Sequence, residues 1–210
     1  MSNVRVVEHA LLQTSLTVLR DQSTPLMLFQ RHGLVASKLL LTYATENLPT
    51  KPKRIQTPLA PFEGTQLSEQ IVFVVILRAA LSMLQAAQEL FPESAIGFLG
   101  IQRDEATAAP KRYYVRVPDL KGKHVFLLDP MLATGGSVED ALDAMQGKGA
   151  KSFSLVSIVS APEGIARLTT KFPELHVVTA AIDERLNDQK FIVPGLGDFG
   201  DRYFGTNDAE

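Results

Sequence analysis

The segment from residue 125 to residue 146 constrains the fold of this 210-residue chain more than any other stretch. Four apolar residues end at Asp129, a short polar loop runs to Ser137, and apolar residues then recur at helical spacing as far as Met145. This pattern predicts a buried strand, a loop and a helix. An acid and a glycine-containing turn at a helix start form an anion site of phosphate size, because free backbone N–H groups and the helix dipole converge there. The alternative is an ordinary turn with Ser137 as the N-cap of the helix.

The rest of the chain alternates between strand-like and helix-like patterns, which predicts a layered fold. Short apolar runs predict strands at residues 71–77, 96–101, 125–128, 152–161 and 176–183, and helical spacing predicts helices after most of them. Alternating strands and helices indicate an α/β fold with a mostly parallel central sheet flanked by helices. We assign all 210 residues to a single domain.

The sequence before the first of these strands indicates an N-terminal helical arm over about residues 1–50. Apolar residues at helical spacing predict two helices between residues 8 and 48. Thr24 and Pro25 are typical of an N-cap and the first residue of the second helix. Several prolines then indicate an extended connector over residues 51–61.

Basic residues stand at two places that favour anion binding. Arg78 follows the predicted strand at residues 71–77, and ligands of open α/β sheets collect at the carboxyl ends of strands. A structural salt bridge is the alternative for Arg78. Residues 102–118 combine arginines and lysines with a tyrosine pair, which predicts a β-ribbon flap. Such a flap covers an anionic ligand, or it is a solvated hairpin that helps to form a dimer.

The glycine-rich tail predicts a tight turn rather than a dinucleotide site. Gly195, Gly197 and Gly200 match GxGxxG, but they follow Pro194 near the end of the sequence and open no periodic helix. The turn nevertheless lets the backbone approach a ligand closely. A calcium loop would compete for the nearby aspartates, but the ligand spacing of an EF-hand is absent.

Composition excludes several other kinds of site. The chain has no cysteine, so it has no disulfide, thiol nucleophile or Cys-ligated metal, and its four histidines lack metal-ligand spacing. A GxSxG nucleophile elbow is absent. The net charge of −2 argues against a dedicated nucleic-acid surface. The longest apolar run, residues 71–77, is too short to span a membrane, so we expect a cytoplasmic protein.

Several segments resemble one protein family. The segment VFLLDPMLATGGS resembles the phosphoribosyl-diphosphate (PRPP) motif of type I phosphoribosyltransferases, and its DPMLATGGS portion is similar to the form in uracil phosphoribosyltransferases. The segments VILRAALSM, GIQRDE, APEGIARL, AIDERLND and FIVPGLGDFGDRYFGT resemble the same family in the same order. The resemblance therefore covers nearly the whole chain, which is more specific than a lone glycine motif.

The resemblance implies an enzyme that transfers the 5-phosphoribosyl group from PRPP to N1 of uracil. UMP and pyrophosphate would be the products, as in pyrimidine salvage. It also implies Mg²⁺ held mainly through the pyrophosphate of PRPP, and GTP as an activator as in some relatives. The leading helices and the flap favour a homodimer or homotetramer. The segment at about residues 184–210 would be the base-binding hood.

The resemblance also implies roles for individual residues. Arg78, Arg103 and Asp129 are the implied catalytic residues: the arginines bind pyrophosphate and Asp129 binds the ribose hydroxyls. Residues 134–137 surround the 5′-phosphate. The full PRPP set is Arg78, Arg103, Asp129, Pro130, Met131, Leu132, Ala133, Thr134, Gly135, Gly136, Ser137 and Asp198. The uracil set is Ile192, Gly197, Asp198 and Phe199.

The chain departs from the family pattern at four positions. Ala80 stands where many members have glycine, and its Cβ would crowd the pyrophosphate or shift the turn. Gln102 replaces a frequent tyrosine, and Pro130 replaces a second acid. Phe199 stands where bacterial relatives commonly have alanine, and we expect it to reshape the base pocket without abolishing uracil binding. Two alternatives stay open: a regulatory protein that binds RNA or nucleotide with little turnover, and a phosphoribosyltransferase for another base.

Overall fold

The computed structural model describes residues 3–103 and 110–206. Within these ranges the helices are α1 (Ala10–Arg20), α2 (Leu26–Thr45), α3 (Leu81–Leu90), α4 (Gly136–Met145), α5 (Pro162–Lys171) and α6 (Phe199–Phe204). The strands are β1 (Val4–Val6), β2 (Thr50–Gln56), β3 (Pro61–Leu67), β4 (Ile71–Leu77), β5 (Ala95–Arg103), β6 (Pro110–Arg116), β7 (His124–Leu128), β8 (Met131–Leu132), β9 (Ser152–Ser160), β10 (His176–Ile182), β11 (Arg185–Leu186) and β12 (Ile192–Val193).

A central sheet carries most of these strands. Its order is β1-β10-β9-β7-β4-β5-β6, and β8 also pairs with β9. Neighbouring strands are parallel except β5 and β6, which are antiparallel. The apolar run of β4 lies between β7 and β5, where both faces of a parallel sheet are covered by helices. The predicted α/β fold with a mostly parallel central sheet flanked by helices is confirmed.

Side chains along β4 alternate between two hydrophobic cores, one on each face of the sheet. Phe73 and Val75 belong to the core that also contains residues of α1, α2 and α3. Val72 and Val74 belong to the second core, with residues of α4 and α5. Full burial of a large apolar side chain contributes about 1.5–3 kcal/mol. Both helical layers are therefore fixed to the sheet that carries the site described below.

Two ribbons of paired strands extend from this body. Strands β5 and β6 form the predicted antiparallel ribbon, and residues 104–109 of the predicted flap lie outside the described residues. The extended connector predicted at residues 51–61 is wrong, because β2 pairs with β3 in an antiparallel hairpin. The residues of β2 are all exposed, so the hairpin has no apolar alternation by which the sequence could reveal it.

Several element boundaries differ from the expectations. Pro25 is the N-cap of α2 rather than its first residue, because its ψ of 150° is extended rather than helical; the Thr24 hydroxyl donates to the Val18 carbonyl at 2.6 Å. Gly135, not Ser137, is the N-cap of α4. The glycine-rich segment does open a helix: the six-residue α6 begins at Phe199, inside the GxGxxG match, and its N-cap Asp198 accepts from the Asp201 amide at 3.0 Å. Strand β1 was not predicted, because its three residues give too short a pattern.

Among the helices described for residues 3–103 and 110–206, none combines the length and the apolar character needed to cross a bilayer.

Candidate active site

A cleft of about 330 Å³ lies at the carboxyl ends of β4 and β7. This volume is at the lower end of the range for small-molecule sites, and the place is where open α/β sheets bind ligands. The cleft brings together nine of the predicted site residues: Arg78, Asp129, Met131, Ala133, Ser137, Ile192, Gly197, Asp198 and Phe199. Two segments that are about sixty residues apart in the sequence thus form opposite parts of one site.

The loop between β7 and α4 forms the first part of the cleft. Asp129 leaves the sheet directly after β7, and its amide donates to the Val156 carbonyl at 3.2 Å. Pro130 and Leu132 are buried beneath the loop, where the Leu132 amide donates to the Ser157 hydroxyl at 3.1 Å. Pro130 and Leu132 therefore support the loop, whereas Asp129, Met131, Ala133 and Ser137 line the cleft.

Two glycines allow α5 to pack against the backbone of this loop. Gly135 has a φ of +77°, which side-chain-bearing residues rarely adopt. A Cβ on Gly164 of α5 would lie 2.3 Å from the Ala133 carbonyl oxygen. Gly135 and Gly136 are buried, and Thr134 accepts from the Gly136 amide at 3.4 Å. The shape of the loop thus depends on close backbone contact with α5.

The start of α4 gives this loop its electrostatic character. The first-turn N–H groups of a helix have no intrahelical acceptor, and the helix dipole adds partial positive charge there. Glu139 and Asp140 follow on α4 with opposite pKa shifts. Contacts with Lys171 and Arg167 lower the pKa of Glu139, whereas burial raises the pKa of Asp140 against the opposing charge of Arg112. The Asp140 carboxylate forms an ion pair with Arg112 at 3.0 Å, which connects α4 to β6 of the ribbon.

Arg78 stands at the end of β4, exposed and lining the cleft. The peptide bond that joins Leu77 to Arg78 is cis. Within the described part of the chain Arg78 has no ion-pair partner, so the salt-bridge alternative gains no support there. Ala80 is fully buried in the core, with a φ of −71°. Its methyl group therefore packs among core residues instead of crowding the cleft.

The second part of the cleft comes from the tail at residues 192–200. Gly197 has a φ of +79°, and both it and Asp198 are exposed, so the backbone at these two residues is accessible to a ligand. Phe199 is 1% exposed, and its ring packs against Phe29 and Tyr203, with centroids 5.1 Å and 5.8 Å away. Only the backbone of Phe199 is thus left to line the cleft, since its ring belongs to the core.

The loop at residues 189–191 also lines the cleft, although no pattern considered above predicted it. Asn187 shapes this loop: its side chain accepts from the Phe191 amide at 2.8 Å and its carbonyl accepts from the Lys190 amide at 2.9 Å. Lys190 has a φ of +66°, the left-handed region that favours glycine. The Asn-Asp pair at 187–188 is a turn signal that could have revealed the loop.

Arg103 is the predicted site residue that the structure leaves undecided. It is the last residue of β5, opposite Pro110 of β6, and its side chain lies outside the described residues. Its role on the pyrophosphate therefore stays a prediction.

We predict that replacing Lys190 with glycine stabilises the protein. A left-handed conformation costs a non-glycine residue about 1–2 kcal/mol, and the greater freedom of glycine in the unfolded chain offsets about 0.4–1 kcal/mol of this gain. The midpoint of thermal unfolding should rise by about 1–4 °C. Lys148→Gly is the matched control, because Lys148 is also an exposed loop lysine but lies outside the positive-φ residues. A Lys190→Gly midpoint no higher than the parental one, or no higher than that of Lys148→Gly, would contradict the prediction.

The fold and the loop after β7 define the class of protein. The structure of a hypoxanthine-guanine phosphoribosyltransferase from Bacillus anthracis superposes with a TM-score of 0.51 at 12% identity, covering 75% of this chain and 80% of that one. This similarity concerns the fold alone, which is that of the type I phosphoribosyltransferases. A structure of a protein from Aquifex aeolicus is far more similar, with a TM-score of 0.93 and 37% identity over 98% of this chain and 100% of that one.

Sequence comparison then resolves the family. The family model described as "Uracil phosphoribosyltransferase" matches residues 6–206. The uracil phosphoribosyltransferase of Campylobacter concisus is 42% identical over 207 residues, which cover 98% of this chain and 100% of that protein. This chain belongs to the uracil phosphoribosyltransferase family.

Proposed function

We propose that this chain transfers the 5-phosphoribosyl group of PRPP to N1 of uracil, giving UMP and pyrophosphate. The observation that supports it best is the convergence of two segments on one cleft. The loop after β7 offers an acid and helix-start amides, and the tail at residues 192–199 offers accessible backbone around a glycine with positive φ. An anionic sugar phosphate suits the first segment, and a small base with both donors and acceptors suits the second.

On the PRPP side, the residues divide the work by chemistry. The Asp129 carboxylate accepts hydrogen bonds from the two ribose hydroxyls, because an ionised carboxylate is a strong acceptor with two oxygens. Residues 134–137 surround the 5′-phosphate with N–H groups and with the hydroxyls of Thr134 and Ser137. The buried support of Pro130 and Leu132 holds the loop in place.

The reaction exchanges bonds at the anomeric carbon, and this determines which charge the site must stabilise. The bond from C1′ to pyrophosphate breaks, the bond from C1′ to N1 of uracil forms, and the N1 proton leaves. Charge therefore develops on the departing pyrophosphate, where Arg78 and Arg103 stabilise it. Exclusion of water protects the oxocarbenium-like centre, and we propose that the ribbon of β5 and β6, whose Ile101 lines the cleft, covers the bound substrates.

On the base side, recognition relies mainly on the backbone. Uracil presents one N3–H donor and two carbonyl acceptors, which N–H and C=O groups of Ile192, Gly197 and Phe199 satisfy. The ring of Phe199 is turned into the core. Phenylalanine in place of the alanine of bacterial relatives therefore affects the base site only through the packing beneath the turn. Asp198 lines the cleft with its neighbours and completes the PRPP side.

Mg²⁺ is the cofactor that we propose, held mainly through the pyrophosphate. The donor set fits this mode: among the described lining residues, Asp129 and Asp198 carry carboxylates, and residues 3–103 and 110–206 contain no group of three potential metal-binding side chains. Mg²⁺ in phosphate sites is typically held by one or two carboxylates, by waters and by the substrate's phosphates. When bound, the ion neutralises charge on the leaving pyrophosphate.

A homodimer or homotetramer is the assembly that we propose, and the hairpin of β2 and β3 supports it. Ile55, Leu59 and Phe62 are 46%, 95% and 57% exposed on this hairpin. An isolated two-stranded hairpin is only marginally stable in water, so a second copy of the chain gains by covering it. GTP activation is a proposal that rests on the family resemblance, and a cytoplasmic location is a proposal that rests on the short apolar runs of the sequence.

Replacing Phe62 with serine should weaken this assembly. Phe62 pairs with Ile55 across the hairpin, and loss of its ring removes apolar surface from the proposed interface. Sedimentation equilibrium should give a dimer or larger for the parent protein and a shift towards the monomer for the variant. Thr65→Ser, on the opposite face of β3, is the control. A monomeric parent, or equal masses for the parent and Phe62→Ser, would refute the proposed interface.

The activity itself is tested by PRPP consumption with uracil, hypoxanthine, orotate or buffer alone, each with and without Mg²⁺. We expect consumption only with uracil and only with Mg²⁺. Turnover with a different base would indicate another phosphoribosyltransferase. If PRPP consumption with every base stayed at the level of buffer alone, the regulatory alternative would be favoured. The net charge of −2 argues against RNA as the ligand of such a regulator.

A further inference from the structure

Three charged residues outside the cleft form hydrogen bonds with the turn that precedes Gly197. Arg20, the last residue of α1, donates to the Gly195 carbonyl at 2.7 Å. It also donates to both carboxylate oxygens of Asp183, at 2.8 Å and 2.6 Å. Asp183 in turn accepts from the Gly195 amide at 2.8 Å. Both the N–H and the C=O of Gly195 are therefore fixed by one ion pair.

Arg202 forms a hydrogen bond with Leu196, the next residue of the same turn. Its guanidinium donates to the Leu196 carbonyl at 2.7 Å, and also to the carbonyls of Leu19 and Asp21, each at 2.6 Å. The guanidinium lies 4.4 Å from the centre of the Phe29 ring. Arg202 thus connects the turn to the end of α1, the helix whose last residue is Arg20.

The turn itself leaves little room for adjustment. A Cβ on Gly195 would lie 2.1 Å from the Ile192 carbonyl oxygen, so the chain folds back tightly on Ile192. Asp183 is only 8% exposed, and hydrogen bonds to charged groups in such surroundings are stronger than neutral ones. Gly197 and Asp198, which line the cleft, follow directly after the two hydrogen-bonded residues at positions 195 and 196.

We propose that Arg20, Asp183 and Arg202 are positioning residues for the nucleobase, and we call them the turn clamp. The inference rests on the proposed function, because it assigns the clamp to the base rather than to PRPP. A site that reads a base with backbone groups cannot adjust by changing a side-chain rotamer. Its N–H and C=O groups must instead be held within about 0.5 Å of their working positions. The clamp supplies that constraint from outside the cleft.

A merely structural role would have a different signature. If the clamp only docked α1 on the sheet, its loss would lower stability and reduce the use of both substrates alike. Of the PRPP set, Asp198 lies on the clamped turn, whereas the loop after β7 has its own supports in Ser157 and Gly164 and does not depend on the clamp. A positioning role therefore predicts a larger rise in KM for uracil than in KM for PRPP.

Arg20→Met and Asp183→Asn test the clamp, with Arg5→Met as the matched control. Arg5, on β1, also forms a two-contact ion pair, with Glu46, and its described hydrogen bonds do not reach the turn. Methionine keeps much of the length of Arg20 without donors. Asparagine has one acceptor oxygen and faces three donors, so at least one contact of Asp183 is lost. We expect KM for uracil to rise at least tenfold in both variants, with KM for PRPP changed less than threefold and with Arg5→Met unchanged.

Hydrogen exchange of the backbone amides supplies a readout that needs no turnover. Exchange at residues 195–198 should accelerate in both clamp variants, while exchange at residues 129–137 stays at the parental rate. Parallel rises in the two KM values, or exchange unchanged in the turn, would overturn the proposal, as would a uracil KM that stays at the parental value. If Arg20→Met does not fold, Asp183→Asn decides by the same criteria. If the unsubstituted protein turns over no uracil, the proposed function is refuted. The hydrogen-exchange rates at residues 195–198 then test the turn clamp without any kinetic data.

Discussion

Replacing Asp129 with asparagine is expected to lower kcat/KM for PRPP by about 100-fold without disturbing the fold. The amide keeps one acceptor oxygen but turns a donor towards a ribose hydroxyl, and the negative charge is lost. A loss of about 2.7 kcal/mol corresponds to this factor, and it is within the range of about 1.5–3 kcal/mol for hydrogen bonds to charged groups. Asp129 lies directly after β7 and lines the cleft, so its substitution acts on the site rather than on the core.

Initial-rate kinetics and thermal unfolding check this expectation together. The unfolding midpoint of Asp129→Asn should stay within about 2 °C of the parent, a shift that corresponds to less than about 1 kcal/mol. Asp143→Asn is the control, because Asp143 is an exposed carboxylate of α4 that pairs with Lys171. A large loss of stability with parental kinetics would mean that Asp129 is a structural acid.

Replacing Gly164 with alanine is expected to damage both stability and PRPP use. The new Cβ would stand 2.3 Å from the Ala133 carbonyl oxygen, and a backbone atom cannot swing aside as a side chain can. Either α5 moves away or the loop after β7 changes shape. Overpacking of this kind costs about 1–3 kcal/mol, which lowers the unfolding midpoint by about 2–12 °C in a protein of this size. KM for PRPP should rise, because Ala133 lines the cleft.

Gly136→Ala supplies the comparison for stability. Its Cβ would meet only the Thr134 hydroxyl at 3.6 Å and the Arg167 side chain at 3.8 Å, which are ordinary contacts. Its midpoint should therefore stay near or above the parental value, since alanine favours the helix. Equal midpoints for Gly164→Ala and the parent would show that the contact between α5 and the loop is not tight.

Patterns within short windows were enough to predict the main architecture. The run at residues 71–77 has seven apolar residues in sequence, which indicates a strand buried on both faces, and the structure places it in the sheet interior. The strand, loop and helix at residues 125–146 are also present, apart from the identity of the N-cap. The hairpin of β2 and β3 was not predicted, because its strands are mostly exposed and their few apolar side chains follow no regular period in the sequence.

The candidate site was accessible to sequence analysis where a motif marks it. The loop after β7 and the turn at Gly197 carry acids and glycines whose spacing or family resemblance points to them, and the cleft brings them together. The supports beneath them carry no such signal. Arg20 and Asp183 are 163 residues apart in the sequence, and Gly164 looks like any helical glycine until the loop backbone is placed against it.

The most direct measurement is the rate of nucleotide formation by the parent protein with PRPP, Mg²⁺ and either uracil or hypoxanthine. The cleft is proposed to read a base with one N–H donor and two carbonyl acceptors through its backbone. We expect UMP and pyrophosphate in equal amounts, with kcat/KM for uracil at least about 100-fold above that for hypoxanthine, a discrimination of about 2.7 kcal/mol. Equal rates with the two bases, or no UMP at saturating substrates, would contradict the account.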